Sequence, residues 1–321
     1  MTMKKLTKVL VILLVLISIL TLPPLVIQVP DAEYNTPQQA NSSIPEYGKY
    51  VTVNNVMLYV EDLNSESDKV ITFIHGFGGS TYSWRENKQF FADNGYRVVA
   101  IDLKGFGLSQ KGIDLDYSHV SQAETVKEVL NYLLINKTVV VGHSMGGNVA
   151  TIFTQNYPDM VSNLVLVDAA VNDIPTSSIS KLAGVFPVKD WLKIIINGYI
   201  TKDRFKSFLE SAYVNLSVVT DTVVDNYYLP LRIQGWQDSL IGMVRDGSNS
   251  AIPYSLSTIQ TPTLILWGDM DPWVNISKGT DLNAKIPNSA FIKIENAGHL
   301  PMEENPSTFN STVLQYLVGQ E

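Results

Sequence analysis

The stretch TVVVGHSMGGNVA, residues 138–150, decides the fold. Three valines in a row make a β-branched run suited to a strand. The run ends in Gly142-His143-Ser144-Met145-Gly146 and passes into small residues suited to a helix. Glycines flank the serine because the turn is tight, and a Cβ at either place would collide with neighbouring backbone. Such a turn lifts the Ser144 hydroxyl above the carboxyl edge of a sheet. It also sets the serine at a helix N-terminus, whose dipole and free N–H groups favour developing negative charge. A G-x-S-x-G bounded by strand and helix predicts a nucleophilic serine.

Outward from this turn, apolar strands alternate with helix-length stretches. KVITFIHG (69–76), RVVAID (97–102), LVLVDA (164–169), TLILWGD (263–269) and FIKIE (291–295) repeat the pattern. YVTVNNVMLYVED (50–62) holds two β-rich runs around Asn54-Asn55, a hairpin signal. The pattern predicts an α/β fold with a mostly parallel sheet covered by helices on both faces. Residues 170–260 are too long for one crossover helix and read as a mostly helical insert. The expected core is therefore residues 50–169 and 261–321.

Composition narrows the function. The chain has 321 residues, 45% of them hydrophobic, which excludes disorder as its main state. A net charge of −8 with 23 Lys+Arg argues against a nucleic-acid partner. With no cysteine, disulfides, thiolate metal sites and a cysteine nucleophile are excluded. The four histidines, His75, His119, His143 and His299, bound the choice of a general base.

His299, in NAGHLPMEENP (296–306), follows the last strand-like run and is the expected base. The acid lies in WGDMDPWV (267–274), which offers Asp269 and Asp271, with Asp168 as the runner-up at the end of LVLVDA. Asp271 is preferred, giving the chain order Ser144, Asp271, His299. In HGFGGS (75–80), a glycine-rich loop after a strand can turn its N–H groups inward. The backbone N–H groups of Phe77 and Met145 then form an oxyanion hole.

HGFGGS, DLKGFGLS (102–109), VGHSMGG, WGDMDPWV and GHLPMEENP, in this order, resemble the α/β-hydrolase superfamily. The resemblance spans about residues 50–318 and is nearest to the branch with a helical cap after the sixth strand, esterases and monoacylglycerol lipase-like enzymes among them. It implies an α/β-hydrolase fold, the triad Ser144, Asp271 and His299, and oxyanion donors Phe77 and Met145. It implies no metal and no organic cofactor. Lys104 and Ser109, in the loop after the fourth strand, are structural in that family. The implied activity is hydrolysis of small to medium apolar carboxylic esters through an acyl-enzyme. Alternatives are a proline iminopeptidase-like amide hydrolase, a carbon–carbon bond hydrolase, or a non-catalytic binding module.

The N-terminus carries its own expectation. Lys4, Lys5 and Lys8 precede an apolar run from Val9 to Leu22 that resumes after Pro23 and Pro24 and fades near Val29. Residues 1–29 read as an uncleaved membrane anchor, or as a cleaved signal segment. Either would place the catalytic domain outside the cytoplasm, anchored or secreted. Residues 30–49 read as a polar tether, with Asn41-Ser42-Ser43 a glycan acceptor by pattern alone.

Overall fold

In the computed structural model, residues 3–30, 32–40, 45–172 and 180–320 are described. Eight strands form one sheet. They are β1 (Gly48–Val53), β2 (Val56–Leu63), β3 (Val70–Ile74), β4 (Arg97–Ile101), β5 (Thr138–His143), β6 (Val161–Val167), β7 (Thr263–Gly268) and β8 (Ser289–Ile294). Their spatial order is β1-β2-β4-β3-β5-β6-β7-β8. β2 pairs antiparallel with β1 and β4, and every neighbouring pair from β4 to β8 is parallel. The first hairpin turns on Asn54 and Asn55, whose φ values of 50° and 62° suit asparagine.

Helices α1 (Met3–Val26) and α2 (Pro37–Ala40) precede the sheet. α3 (Lys88–Asp93), α4 (His119–Tyr132) and α5 (Met145–Asn156) follow β3, β4 and β5. Between β6 and β7 lie α6 (Val188–Tyr199), α7 (Lys202–Glu210), α8 (Asp221–Tyr228) and α9 (Trp236–Asp246). α10 (Ser277–Lys285), α11 (Pro301–Glu304) and α12 (Pro306–Val318) complete the chain.

Side-chain alternation explains why the central strands are apolar throughout. In β3, Val70 and Ile74 enter the core shared with α4 and α5, while Ile71 and Phe73 enter the core shared with α3 and α12. Both faces are covered, so β3, β5 and β7 are buried at every position. Each such Val, Ile, Leu or Phe contributes about 1.5–3 kcal/mol relative to exposure. The sheet is therefore a rigid floor, and its carboxyl edge carries the loops after β3, β5, β6, β7 and β8.

The anchor expectation is not met. Among the described residues, no helix is long and apolar enough to cross a membrane. The apolar run from Val9 to Leu22, broken only by Ser18 and Thr21, has 14 residues, against the roughly 20 that a span requires. Its apparent extension to Val29 passes through Pro23 and Pro24, and α1 ends at Val26. The membrane partner, the signal-anchor reading and the anchored extracytoplasmic placement rested on that extension, whereas the cleaved-signal alternative rested on Val9–Leu22 alone. α1 instead meets α6, where the Trp191 indole N–H donates to Leu20 O at 2.8 Å. Part of the polar stretch after α1 is also engaged. Tyr34 N–H donates to Arg232 O at 3.0 Å, Gln234 N–H donates to Tyr34 O at 2.8 Å, and Arg232 grips Glu33. Asn41-Ser42-Ser43 lies outside the described residues.

Candidate active site

Ser144 sits between β5 and α5 with φ 50° and ψ −119°, a backbone state rare for a residue with a side chain. The surrounding structure enforces it. Ser144 N–H donates to Val167 O at 2.9 Å, and Ser144 O accepts from Gly147 N–H and Ala170 N–H at 2.9 and 3.0 Å. The glycines are demanded by close approach. A Cβ on Gly142 would lie 2.4 Å from Gly146 O, and one on Gly146 would lie 2.4 Å from His75 O. The loop after β3 passes over the serine, since a Cβ on Gly76 would come 3.0 Å from Ser144 Cβ. Phe77 and Ser144 line one cavity. Neither the Phe77 N–H nor the Met145 N–H has a protein acceptor among the described residues.

His299 and Asp271 meet as the sequence predicts. His299 Nδ1 and Asp271 Oδ2 are 2.8 Å apart, and both side chains are almost fully buried. Asp271 Oδ1 accepts from Trp273 N–H at 2.8 Å and Val274 N–H at 3.0 Å. Burial pushes the Asp271 carboxyl up, but the hydrogen bond and charge of His299 and the two backbone N–H groups outweigh it. Its pKa lies below the ordinary carboxylate value. Asp269 is a neighbour without this role; its Oδ1 reaches only Ala297 N–H, at 3.4 Å.

The other histidines are tied elsewhere. His143 Nε2 is 2.7 Å from His299 O, and burial, then the proximity of His299, pushes its pKa down to about 3. His75 Nε2 accepts from Leu103 N–H at 3.1 Å, and burial lowers its pKa to about 4. His119 Nδ1 lies 2.7 Å from Asn148 Nδ2, with burial again pulling its pKa to about 4. Lys104 binds Ser121 Oγ, and Ser109 Oγ donates to Asp102 O, so both brace their loop away from the serine.

Asp168, the runner-up acid, stands beside the pair rather than in it. Its Oδ1 accepts from Gly268 N–H at 3.0 Å. One ligand-capable atom from each of Asp168, Asp271 and His299 lies within 4.8 Å of the others. The Asp271–His299 hydrogen bond accounts for the proximity of those two.

Sequence reasoning missed what holds the His299 loop. His299 N–H donates to Ala212 O at 2.8 Å. Glu304 accepts from Gly298 N–H at 2.7 Å and from Val214 N–H and Asn215 N–H, each at 2.8 Å. The buried Glu303 joins Arg85, Tyr213 and Tyr227. Two adjacent acidic residues four and five positions after the base were the available signal.

Two cavities meet at the site. A cavity of about 220 Å³ contains Ser144, His143 and His299 in its wall. A larger one, about 690 Å³, extends between the loops and the insert. They share Phe77, Gly78, Gly79, Phe205, Phe208 and Tyr227. The larger chamber is completed mainly by apolar groups, among them Phe106, Trp236, Leu240 and Met243. Of the other insert aromatics, Tyr213 binds Glu303, Tyr228 packs on Phe205, and Trp191 faces α1.

A parallel sheet with a serine elbow, a buried Asp–His pair and a glycine loop over the serine defines a hydrolase of the α/β class. Residues 69–306 match the family model described as alpha/beta hydrolase fold, and the chain belongs to that family. The chain is 25% identical over 266 residues to "Uncharacterized hydrolase YugF" of Bacillus subtilis, covering 83% of this chain and 96% of that protein. It is 27% identical over 291 residues to a 2-hydroxy-6-oxononadienedioate/2-hydroxy-6-oxononatrienedioate hydrolase of Burkholderia vietnamiensis, covering 84% and 95%. The solved structure of a meta-cleavage product hydrolase from Pseudomonas fluorescens superposes with a TM-score of 0.71 at 25% identity, covering 86% and 99%. Hydrolase activity is thus supported by family, and the bond cleaved is the remaining question.

Proposed function

We propose that this chain hydrolyses carboxylic esters with an apolar acyl or alcohol group, using Ser144, His299 and Asp271. His299 takes the proton as Ser144 Oγ attacks the acyl carbon, while Asp271 holds the imidazole and balances its charge. The oxyanion forms against the Phe77 and Met145 N–H groups. His299 then protonates the leaving alcohol, and a water it activates hydrolyses the acyl-enzyme. Residues 170–260 act as a cap over a core of residues 50–169 and 261–321.

The observation that carries this reading is a mostly apolar chamber that shares six wall residues with the serine cavity. The relatives named for dioate substrates act on dianions, which call for cations to receive them. Here Lys111 points its ammonium at the carbonyls of Phe106, Gly107 and Ser109. Arg204 packs on the Tyr199 ring and donates to Tyr199 O. Lys111 is thus held by backbone carbonyls and Arg204 is held against Tyr199, which favours an uncharged apolar substrate.

The test is p-nitrophenyl ester hydrolysis by wild type and Ser144→Ala, from acetate to palmitate, beside proline p-nitroanilide and a vinylogous diketone acid. Ester turnover lost in Ser144→Ala supports the proposal. Turnover of the diketone alone would make the chain a carbon–carbon bond hydrolase. Turnover of the anilide alone would make it an amide hydrolase.

A further inference from the structure

Asp168 is fully buried at the end of β6, with φ 43° at its own backbone. Its Oδ1 has the Gly268 N–H, but its Oδ2 has no hydrogen-bond partner. The Asp168 carboxyl also has unusual polar neighbours. A carboxylate oxygen of Asp271 and a ring nitrogen of His299 fall in the same cluster within 4.8 Å. Two ionised carboxylates cannot share a dry site comfortably, so one of them holds a proton. The donors around each show which. Asp271 receives His299 Nδ1–H, Trp273 N–H and Val274 N–H, whereas Asp168 receives only Gly268 N–H. The better-solvated anion is Asp271.

We propose that Asp168 is a positioning residue of the triad: a neutral carboxylic acid whose O–H donates a hydrogen bond to the Asp271 carboxylate. The proposal rests on the reading of Ser144, His299 and Asp271 as the triad. One proton removes two difficulties at once. It gives Asp168 Oδ2 a partner, and it removes a second negative charge from beside the imidazole. A carboxylate that accepts one more hydrogen bond is a weaker base. Asp271 then stabilises the His299 imidazolium during catalysis without trapping it in the resting enzyme.

The surroundings agree. Burial, then the nearby Asp271 charge, holds the Asp168 pKa well above the ordinary carboxylate range, and Glu304 on α11 pushes in the same direction. The end of β7 contributes the Gly268 N–H, which alone favours ionisation. On the adjoining β5, His143 is uncharged at neutral pH. Among the described residues, no cation from these elements is bonded to Asp168.

The experiment uses the full chain and two variants. Asp168→Asn keeps an oxygen for the Gly268 N–H and an N–H for Asp271, while Asp168→Ala keeps neither. Infrared difference spectra at pH 7, wild type against Asp168→Asn, should show one protonated carboxyl band that only the wild type has. The comparison isolates Asp168 from Asp102 and Glu303, whose carboxyls burial also raises. In pH–rate profiles, Asp168→Asn should rescue most of the turnover with its acid limb close to wild type. Asp168→Ala should lose about 10- to 100-fold in kcat, the effect of one hydrogen bond to a charged group. Its acid limb should move to higher pH, because Asp271 becomes more basic and holds the imidazolium longer.

An absent carboxyl band overturns the proposal. So does an Asp168→Asn loss as deep as that of Asp271→Asn, which would make ionised Asp168 the working acid. An unmoved acid limb in Asp168→Ala overturns it too. Should Asp168→Ala fail to fold, the Asn variant and the infrared band decide. The band is read without substrate, so failure of the ester reading and failure of this one remain separable.

Discussion

Asp269 and Asp271, two positions apart, meet opposite surroundings. Asp271 is sealed against His299 and two backbone N–H groups, whereas Asp269 keeps one long contact to Ala297 N–H. Asp271→Asn should therefore lower kcat by roughly 10³–10⁴-fold, because an amide neither fixes the tautomer nor balances an imidazolium. Asp269→Asn should stay within about threefold, as expected where no charged contact is lost. Ester kinetics on the two variants check this, and a reversed order would reassign the acid. The three histidines outside the Asp271–His299 pair take no part in the pH profile. His75 and His119 at about 4, and His143 at about 3, are neutral wherever the enzyme works. Activity should thus be insensitive to the protonation of these three down to about pH 5. The acid limb of log(kcat/KM) should have a slope of one proton down to about pH 5, and a slope of two would mean a second histidine takes part.

The elbow and the ties of the base loop show why some elements were legible and others were not. β5, its turn and α5 are local: a valine run, a G-x-S-x-G and small residues lie within 13 residues of sequence. Their geometry is forced by nearby backbone. Gly146→Ala would drive a Cβ to 2.4 Å from His75 O and 2.5 Å from Ile74 O. It should lift α5 off β3, cost about 1–3 kcal/mol or more, and disrupt the oxyanion donors. Thermal unfolding and ester turnover would both report it, and an unchanged Tm would mean the elbow is looser than these approaches require. The ties of the His299 loop are non-local, crossing about 90 residues of sequence from Glu304 to Val214 and Asn215. Nothing periodic announces such a contact, so the sequence singles out His299 but not what holds its loop. Glu304→Ala frees three backbone N–H groups and should cost about 2 kcal/mol or more. The loosened loop should lower kcat more than it raises KM. A lower Tm with kcat intact would confine Glu304 to a structural role.

At the scale of the whole molecule, the parallel sheet and the turn at Ser144 were readable because covered strands must be apolar and the elbow must be glycine-rich. The N-terminal reading went wrong for a complementary reason. Counting apolar residues across Pro23 and Pro24 joined a 14-residue run to the short apolar stretch ending near Val29, and α1 ends at Val26. Its contact with Trp191 and the grip of Arg232 on Glu33 depend on where the insert lies, which composition does not encode. The insert also contributes differently to the two cavities. The serine cavity is walled mostly by the core loops, whereas the larger chamber takes Trp236, Leu240 and Met243 from α9. Leu240 borders the chamber and not the serine cavity. Leu240→Trp should therefore fill the chamber without touching the triad. On the ester panel, kcat/KM for palmitate should fall by about tenfold or more, since an overfilled apolar pocket rejects long groups by about 1–3 kcal/mol. Acetate, small enough to stay in the serine cavity, should be hydrolysed within about twofold of wild type, because uniform loss requires damage at the reacting centre. Equal losses on both esters would mean the chamber does not receive the acyl chain.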